Sequence, residues 1–157
     1  MNRISVEELL QKYAEGERNF SGASLIGANL VEANLCGINL SKADLSEANL
    51  TEVNLSGANL KKANLRKVNF SQANLREANL SETNLVEANL IEVDLTKANL
   101  NEANLTEANL GFSILDETNL KMSNLCNAFL AGTNLSTANL DYAVLHGAVM
   151  PDENQSS

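Results

Sequence analysis

The residues able to carry chemistry are few and far apart in the sequence. His146 is the only histidine, and Cys36 and Cys126 are the only cysteines. A single histidine excludes a metal site with two histidine ligands and leaves little for a Ser-His network. Cys126 and His146 are twenty residues apart, and the carboxylates Glu87 and Glu107 share that spacing. Without a concave pocket around such pairs, we expect no catalytic residue, no metal site and no cofactor.

Composition and charge narrow the function further. The chain has 157 residues, which fits one domain, and a formal net charge of −9. Binding to phosphates needs clustered Lys and Arg, so direct nucleic-acid binding is not expected. The sequence has no run of 18 apolar residues that could span a membrane, and two cysteines are too few for a disulfide framework. The default prediction is a reduced protein of the cytoplasm.

A five-residue repeat dominates the sequence. Every fifth residue from Phe20 to Met150 gives 27 central positions, and 24 of them are Leu. The position two residues earlier is Ala in 17 cases, and the position between is Asn in 20 cases and Asp in two, Asp44 and Asp94. The unit is therefore Ala-Asn-Leu-x-x, and no insertion interrupts it.

Neither common secondary structure gives all these leucines the same environment. A helix turns about 100° per residue, so a step of five spreads successive leucines around its axis. A flat strand alternates its faces, so an odd step sends them to opposite sides. A backbone that turns a corner every five residues places each Leu and each Ala inward. Six of the eight glycines lie two residues after a central position, which predicts a turn with positive φ there.

With this unit, the sequence resembles the pentapeptide-repeat family, whose motif is A(D/N)LXX. The resemblance implies an all-β fold, a right-handed quadrilateral β-helix with four repeats per coil and about 6.5 coils. It divides the chain into an N-terminal capping helix with its lead-in over 1–19, the β-helix over 20–150 and a short polar tail over 151–157. Residues twenty apart are then expected to stack on one another.

Residues 5–15 predict a short helix that covers the first coil. Ser5 and Glu8 form a capping-box pattern, and Gly16 can end the helix. The expected apolar face consists of Leu9, Leu10 and Tyr13. The run ELLQKYAEGERNF resembles the N-terminal caps of cyanobacterial members of the family. The alternative is a helix that docks a partner.

The repeat loosens towards the C-terminus, where apolar residues occupy outward positions. The candidate residues for an association surface are Phe112, Met122, Phe129, Tyr142 and Val149. Met122 and Tyr142 are expected to stack, as are Phe129 and Val149. One interpretation is local repacking around the end coil. The other is a surface for association, as in a tail-to-tail homodimer through the C-terminal coils.

Charge is unevenly distributed along the repeats. A basic belt, a second candidate interaction surface, consists of Lys61, Lys62, Arg66, Lys67 and Arg76. An acidic band follows over residues 77–117, with nine carboxylates and one lysine, Lys97. Solvated faces commonly carry such runs. Some family members resemble duplex DNA in shape and charge and bind gyrase; the acidic band fits that class, whereas the basic belt does not.

These observations favour a non-enzymatic protein-binding or scaffold module that acts through the faces of its solenoid, with a protein partner that the repeat does not identify. The alternative is a DNA mimic that binds DNA gyrase and protects it against quinolones. The inward positions determine the fold and are silent on function, so any partner must be recognised through the outward positions.

Overall fold

The computed structural model describes residues 2–152, and here the repeats wind into a right-handed four-sided β-helix. Parallel bridges join residues twenty apart, from Asn19–Asn39 to Phe129–Val149. Each face repeats the same two backbone bonds: the amide of Leu60 donates to the carbonyl of Asn79 at 2.7 Å, and the amide of Asn79 donates to the carbonyl of Ala58 at 2.9 Å. The predicted fold class is confirmed.

The interior contains the two inward positions of each repeat. The Leu side chains from Leu25 to Leu130 are buried, as are most of the Ala side chains two residues before them. Phe70 takes one central position and is fully buried. Each Asn between them turns outward and accepts the amide of the residue two further on, as Asn59 Oδ1 does from Lys61 at 3.0 Å. This bond explains why Asn or Asp precedes most of the central leucines.

The corners require a left-handed residue whether or not it is glycine. We define the corner position as the second residue after each central one, from Gly22 to Gly147. Six glycines and nineteen other residues there have positive φ, from 54° at Glu117 to 75° at Gly132. The amide of the next residue closes the turn, as Ala63 does to the carbonyl of Leu60 at 3.0 Å. Glycine therefore marks the corner position without being necessary for it.

One corner departs from this pattern. Thr137 is absent from the corner residues with positive φ, and it is the only β-branched residue at a corner position. A side chain branched at Cβ strongly disfavours the left-handed region. The parallel bridge expected between Ile114 and Asn134 is missing, although the bridges on either side of it, at Phe129 and Asn139, form.

The break removes specific hydrogen bonds. The amide of Leu115 does not donate to the carbonyl of Asn134, and the amide of Asn134 does not donate to the carbonyl of Ser113. The amide of Glu117 donates instead to Thr137 Oγ1, at 2.9 Å. The hydroxyl of Ser113, which is buried beside the break, has no hydrogen-bond partner among the described residues. The sequence repeat continues through this corner, but the ladder does not.

A helix closes the N-terminal end. The helix α1 (Val6–Ala14) begins after Ser5, whose hydroxyl accepts the amide of Glu8 at 3.1 Å. Gly16, which follows the C-cap residue Glu15, has a φ of 101°, and its amide donates to the carbonyl of Tyr13 at 3.0 Å. The expected apolar face needs one correction: Leu9 is fully buried, but Leu10 is 39% exposed, because adjacent helical residues lie about 100° apart.

Further contacts fix this cap to the first coils. Tyr13 Oη donates to the carbonyl of Cys36 at 2.7 Å, and the guanidinium of Arg18 lies 3.7 Å above the Tyr13 ring. The sequence analysis missed a short strand, β1 (Asn2–Arg3), which pairs in parallel with β2 (Ala23–Ser24). The N-terminal edge is thus covered by both a helix and a strand. Of the predicted C-terminal tail, residues 153–157 lie outside the described residues.

Candidate interaction surface

Two phenylalanines lie flat on one face of the C-terminal coils. We call it the Phe129 face, because its outward middle position is held by Asn109, Phe129 and Val149 in successive coils. A Cβ at Gly111 would lie 3.3 Å from the Phe129 ring, and a Cβ at Gly132 would overlap the Phe112 ring. Each ring therefore covers a glycine of the neighbouring coil. Gly111 is neither at a corner nor at positive φ, so the close approach of the Phe129 ring, rather than the backbone conformation, favours glycine at this position.

The structure brings together three of the five predicted C-terminal residues. Phe112, Phe129 and Val149 share the Phe129 face and its corner. Met122 and Tyr142 stack as predicted, since the amide of Met122 donates to the carbonyl of Asp141 at 2.9 Å, but they occupy a corner outside this face. Tyr142 is 82% exposed. Sequence reasoning did not select Gly111 and Gly132, although the departure of Gly111 from the corner position was a visible signal.

Within the described residues 2–152, no residue covers the apolar interior beyond the last coil, residues 131–150. Leu135, Leu140 and Leu145 are only partly buried, whereas the central residues of the preceding coils are fully buried, and Met150 is 43% exposed. Within residues 2–152 no further coil follows. The amides of Leu140 and Leu145, which would donate to such a coil, therefore have no backbone acceptor in the described part of the chain.

The cations of the basic belt form ion pairs with carboxylates of the acidic band. The five cations contact three carboxylates of the next coil, with N–O distances of 3.1–3.8 Å. The pairs are Lys61 and Lys62 with Glu82, Arg66 and Lys67 with Glu87, and Arg76 with Asp94. The cations are substantially exposed and the carboxylates are partly exposed, so each pair contributes at most about 1 kcal/mol. The belt and the lower part of the band thus form one mixed-charge surface.

Asp94 is the carboxylate of this surface most strongly affected by its surroundings. Partial burial acts to raise the pKa of Asp94, but hydrogen bonds from the hydroxyl and the amide of Thr96 and the contact with Arg76 together lower the pKa below its ordinary value. Thr96 Oγ1 donates to Asp94 at 2.6 Å, and Arg76 donates at 3.1 Å. Asp94 therefore stays ionised, and its ion pair with Arg76 lies at the end of the mixed-charge surface.

The upper part of the acidic band has no such cations. The carboxylates concerned are Glu102, Glu107, Asp116 and Glu117. No ion pair within 4.0 Å joins them to a cation among residues 2–152. They surround the rod at the level where the apolar C-terminal coils begin. A partner of those coils would meet uncompensated negative charge at their border.

The residues that could do chemistry remain dispersed on convex surface. Cys126 and His146 lie in adjacent coils, and both cysteines are free thiols. No group of three or more His, Cys, Asp or Glu residues in the described chain is placed to hold a metal ion. A depression of about 540 Å³ lies open between the lead-in residues Arg3–Val6 and the first coil, away from every candidate residue. No helix of residues 2–152 is long and apolar enough to cross a membrane.

The chain is similar to two cyanobacterial proteins of known structure. The chain is 30% identical to a pentapeptide-repeat protein, Rfr23, from the cyanobacterium Cyanothece 51142, with 95% of this chain and 97% of that chain covered and a TM-score of 0.48. It is 28% identical to HetL from the cyanobacterium Nostoc sp. strain PCC 7120, involved in heterocyst differentiation regulation, with 95% and 98% covered and a TM-score of 0.29.

A third solved structure shows similarity of fold alone. Full-length QnrB1, a plasmid-mediated fluoroquinolone resistance protein, is 18% identical, with 88% of this chain and 81% of that chain covered and a TM-score of 0.56. No curated protein sequence matches the chain significantly. The family model for pentapeptide repeats matches eight copies over residues 19–57, 54–90, 83–121 and 123–150. Together with the twenty-residue ladder, this match shows that the chain belongs to the pentapeptide-repeat family.

Proposed function

We propose that this pentapeptide-repeat protein is a non-enzymatic protein-binding module of the cytoplasm, and that its last coil associates end to end with a second copy of the chain. The open C-terminal end of the core carries the proposal. A helix and a strand cover the opposite end, whereas Leu140, Leu145 and Met150 stay partly exposed. An apolar cross-section with unpaired backbone groups is a strong site for association.

The edge of the last coil is complementary to itself. The carbonyl of Ala138 and the amide of Leu140 would bond the next coil, and they lie side by side on one face. A two-fold axis perpendicular to the rod reverses their order in the second copy. Each amide then meets a carbonyl, as in an antiparallel pair of strands. Ala143 and Leu145 repeat the arrangement on the adjacent face.

Charge also favours a second copy at this end. Residues 131–150 contain one carboxylate, Asp141, and no lysine or arginine. The depletion of charged residues is typical of the centre of an interface. The unpaired carboxylates at Glu102 and Glu107 lie more than one coil back from the end. Across a dimer they would be separated by about 15 Å or more, beyond the Debye length at physiological salt.

Sedimentation velocity of the full chain tests the proposal. We expect wild type to sediment as a dimer at about 100 µM, and Met150→Lys to sediment as a monomer because it places a charge on the apolar end. Ile26→Lys is the matched control, since Ile26 is an exposed apolar residue near the covered end. A wild-type monomer at that concentration, or a dimer that withstands Met150→Lys, would contradict end-to-end association.

The gyrase-directed alternative rests on family-level similarity, with no observation of this structure to favour it. A mimic of duplex DNA needs extended negative charge, but Glu82, Glu87 and Asp94 are paired with the basic belt. A supercoiling assay with and without a quinolone distinguishes the two functions. We expect no effect of the protein at micromolar concentration, and protection of gyrase would instead establish the alternative.

A further inference from the structure

We propose that the Phe129 face is a second docking surface, which binds a segment of a partner protein rich in apolar and basic side chains. We call its flat part the aromatic platform: Gly111, Phe112, Phe129, Ala131, Gly132 and Val149. It lies on the side of the rod, so it does not depend on association through the open end. Its apolar character, its rigidity and the charge at its border support the assignment.

The platform is apolar where the rest of the rod is charged. From 127 to 132 and from 147 to 151 this face has no ionisable residue. Phe112 is 63% exposed and Phe129 is 40% exposed, and both rings lie on this face rather than being scattered over the rod. At the corresponding places in other coils the chain has Gln72 instead of Phe112, and Asn89 instead of Phe129. The repeat therefore folds without these rings.

The rings are held in place before any partner arrives. Phe112 reaches across the coil boundary onto Gly132, and Phe129 reaches back onto Gly111, which it buries. The ladder beneath them is intact, because Leu110 donates to the carbonyl of Phe129 at 2.8 Å and Phe112 to the carbonyl of Ala131 at 3.0 Å. A partner loses little entropy in ordering such a surface, and exposed ring faces attract aliphatic groups and cations alike.

Negative charge at two corners indicates which partner fits. Glu92 lies one coil below Phe112 at the same corner, and its amide donates to the carbonyl of Gly111 at 2.9 Å. Glu107 lies at the other corner of this face, with its amide donating to the carbonyl of Cys126 at 2.9 Å. No cation within 4.0 Å pairs with either carboxylate among residues 2–152. Glu92 accepts a hydrogen bond from Gln72 Nε2 at 3.1 Å but keeps its negative charge, so lysine or arginine in a partner would neutralise both corners.

A second copy of the chain is a poorer match for that chemistry, because it carries 20 carboxylates against 11 lysines and arginines. Its five belt cations already contact carboxylates of their own rod, and its net charge is −9. A segment that alternates leucine with arginine is a better match. Its apolar side chains cover the platform, and each guanidinium can both lie on a ring and reach a carboxylate.

Fluorescence anisotropy with labelled synthetic peptides of about twelve residues tests the assignment. The probe alternates Leu and Arg; one control peptide replaces Leu by Ser, and another replaces Arg by Glu. The protein variants are Phe112→Gln and Phe129→Asn, which reproduce the chain's own repeat, and Glu92→Gln and Glu107→Gln. Glu52→Gln is the matched control, because Glu52 lies at the same corner as Glu92, two coils away, with φ of 56° against 57°.

We expect the Leu-Arg peptide to bind, and each phenylalanine substitution to weaken binding at least about tenfold. Each glutamine at 92 or 107 should weaken it about two- to fivefold and flatten its salt dependence, with Glu52→Gln unchanged. Equal binding of the Ser-Arg peptide, insensitivity to both phenylalanine substitutions, or no binding at about 1 mM peptide would overturn the proposal. The proposal would also be overturned if the wild type were a dimer and Phe112→Gln were a monomer, because the platform would then be an interface between copies.

Discussion

The corner at Thr137 offers a direct test of how residue type controls the ladder. Its β-branched side chain is excluded from the left-handed region that twenty-five other corner residues adopt. Asparagine tolerates that region, and Asn127 already adopts it at a φ of 59°. We therefore expect Thr137→Asn to restore positive φ at this corner and to bring Asn134 back into register with Ile114.

The magnitude follows from the bonds that are missing. Two ladder bonds return, from Leu115 to Asn134 and from Asn134 to Ser113, and each contributes about 0.5–1.5 kcal/mol. The amide of Glu117 exchanges the Thr137 hydroxyl for a backbone carbonyl, which is nearly neutral. The left-handed asparagine costs about 1 kcal/mol. A net gain of about 1 kcal/mol raises Tm by about 2–4 °C.

Native-state hydrogen exchange measures the effect where it arises. The amides of Leu115 and Asn134 should exchange about fivefold more slowly in the variant, with little change at Leu60 in the middle of the rod. The converse substitution, Asn127→Thr, should open the corner at residue 127, two corners before Thr137, and lower Tm. If Thr137→Asn leaves both Tm and the two amides unchanged, then side-chain branching is not what breaks the ladder.

Three further outcomes test the packing and the electrostatics. Gly132→Ala should lower Tm more than Gly57→Ala, because both place alanine at positive φ but only Gly132 lies under the Phe112 ring. The pKa of Asp94 is lowered in the folded protein, so the ionised carboxylate stabilises the fold above pH about 4, and this stabilisation is lost as the pH falls through the folded pKa. Asp94→Asn should therefore reduce the pH dependence of Tm in acid. Leu85→Lys should abolish cooperative unfolding by placing a charge in a fully buried position, and a melt like that of wild type would contradict the register.

The period of five was enough to predict the inward positions, because a narrow interior repeats one environment and selects one pair of residues for it. Leu60 and Ala58 are buried for the reason that the sequence pattern indicates. The capping helix was also readable, since Ser5 and Gly16 act through local backbone geometry. Local rules of this kind depend on neighbours in the sequence alone.

The surface was harder to predict, because it depends on pairs of residues twenty apart and on rotamers. The ladder places Lys62 one coil below Glu82, but only the side-chain geometry shows that the two are joined at 3.7 Å. The sequence showed that Phe112 and Phe129 are outward apolar residues, but it did not predict that their rings pack against Gly132 and Gly111. The break at Thr137 was accessible in principle, since no other corner residue is β-branched.

The ladder that joins residues twenty apart has a consequence for how such a chain can lengthen during evolution. Duplication of five codons preserves every inward Leu and Ala, so the core accepts it. The same event turns all following residues by a quarter of the circumference relative to those before it, so it separates the outward partners on either side of it. A duplication between residues 62 and 82 separates Lys62 from Glu82, and one between residues 111 and 129 separates Gly111 from Phe129. Only a gain of twenty codons keeps both the interior and the outward partners. Selection on the core therefore permits steps of one repeat, and selection on any bound partner permits steps of one full coil.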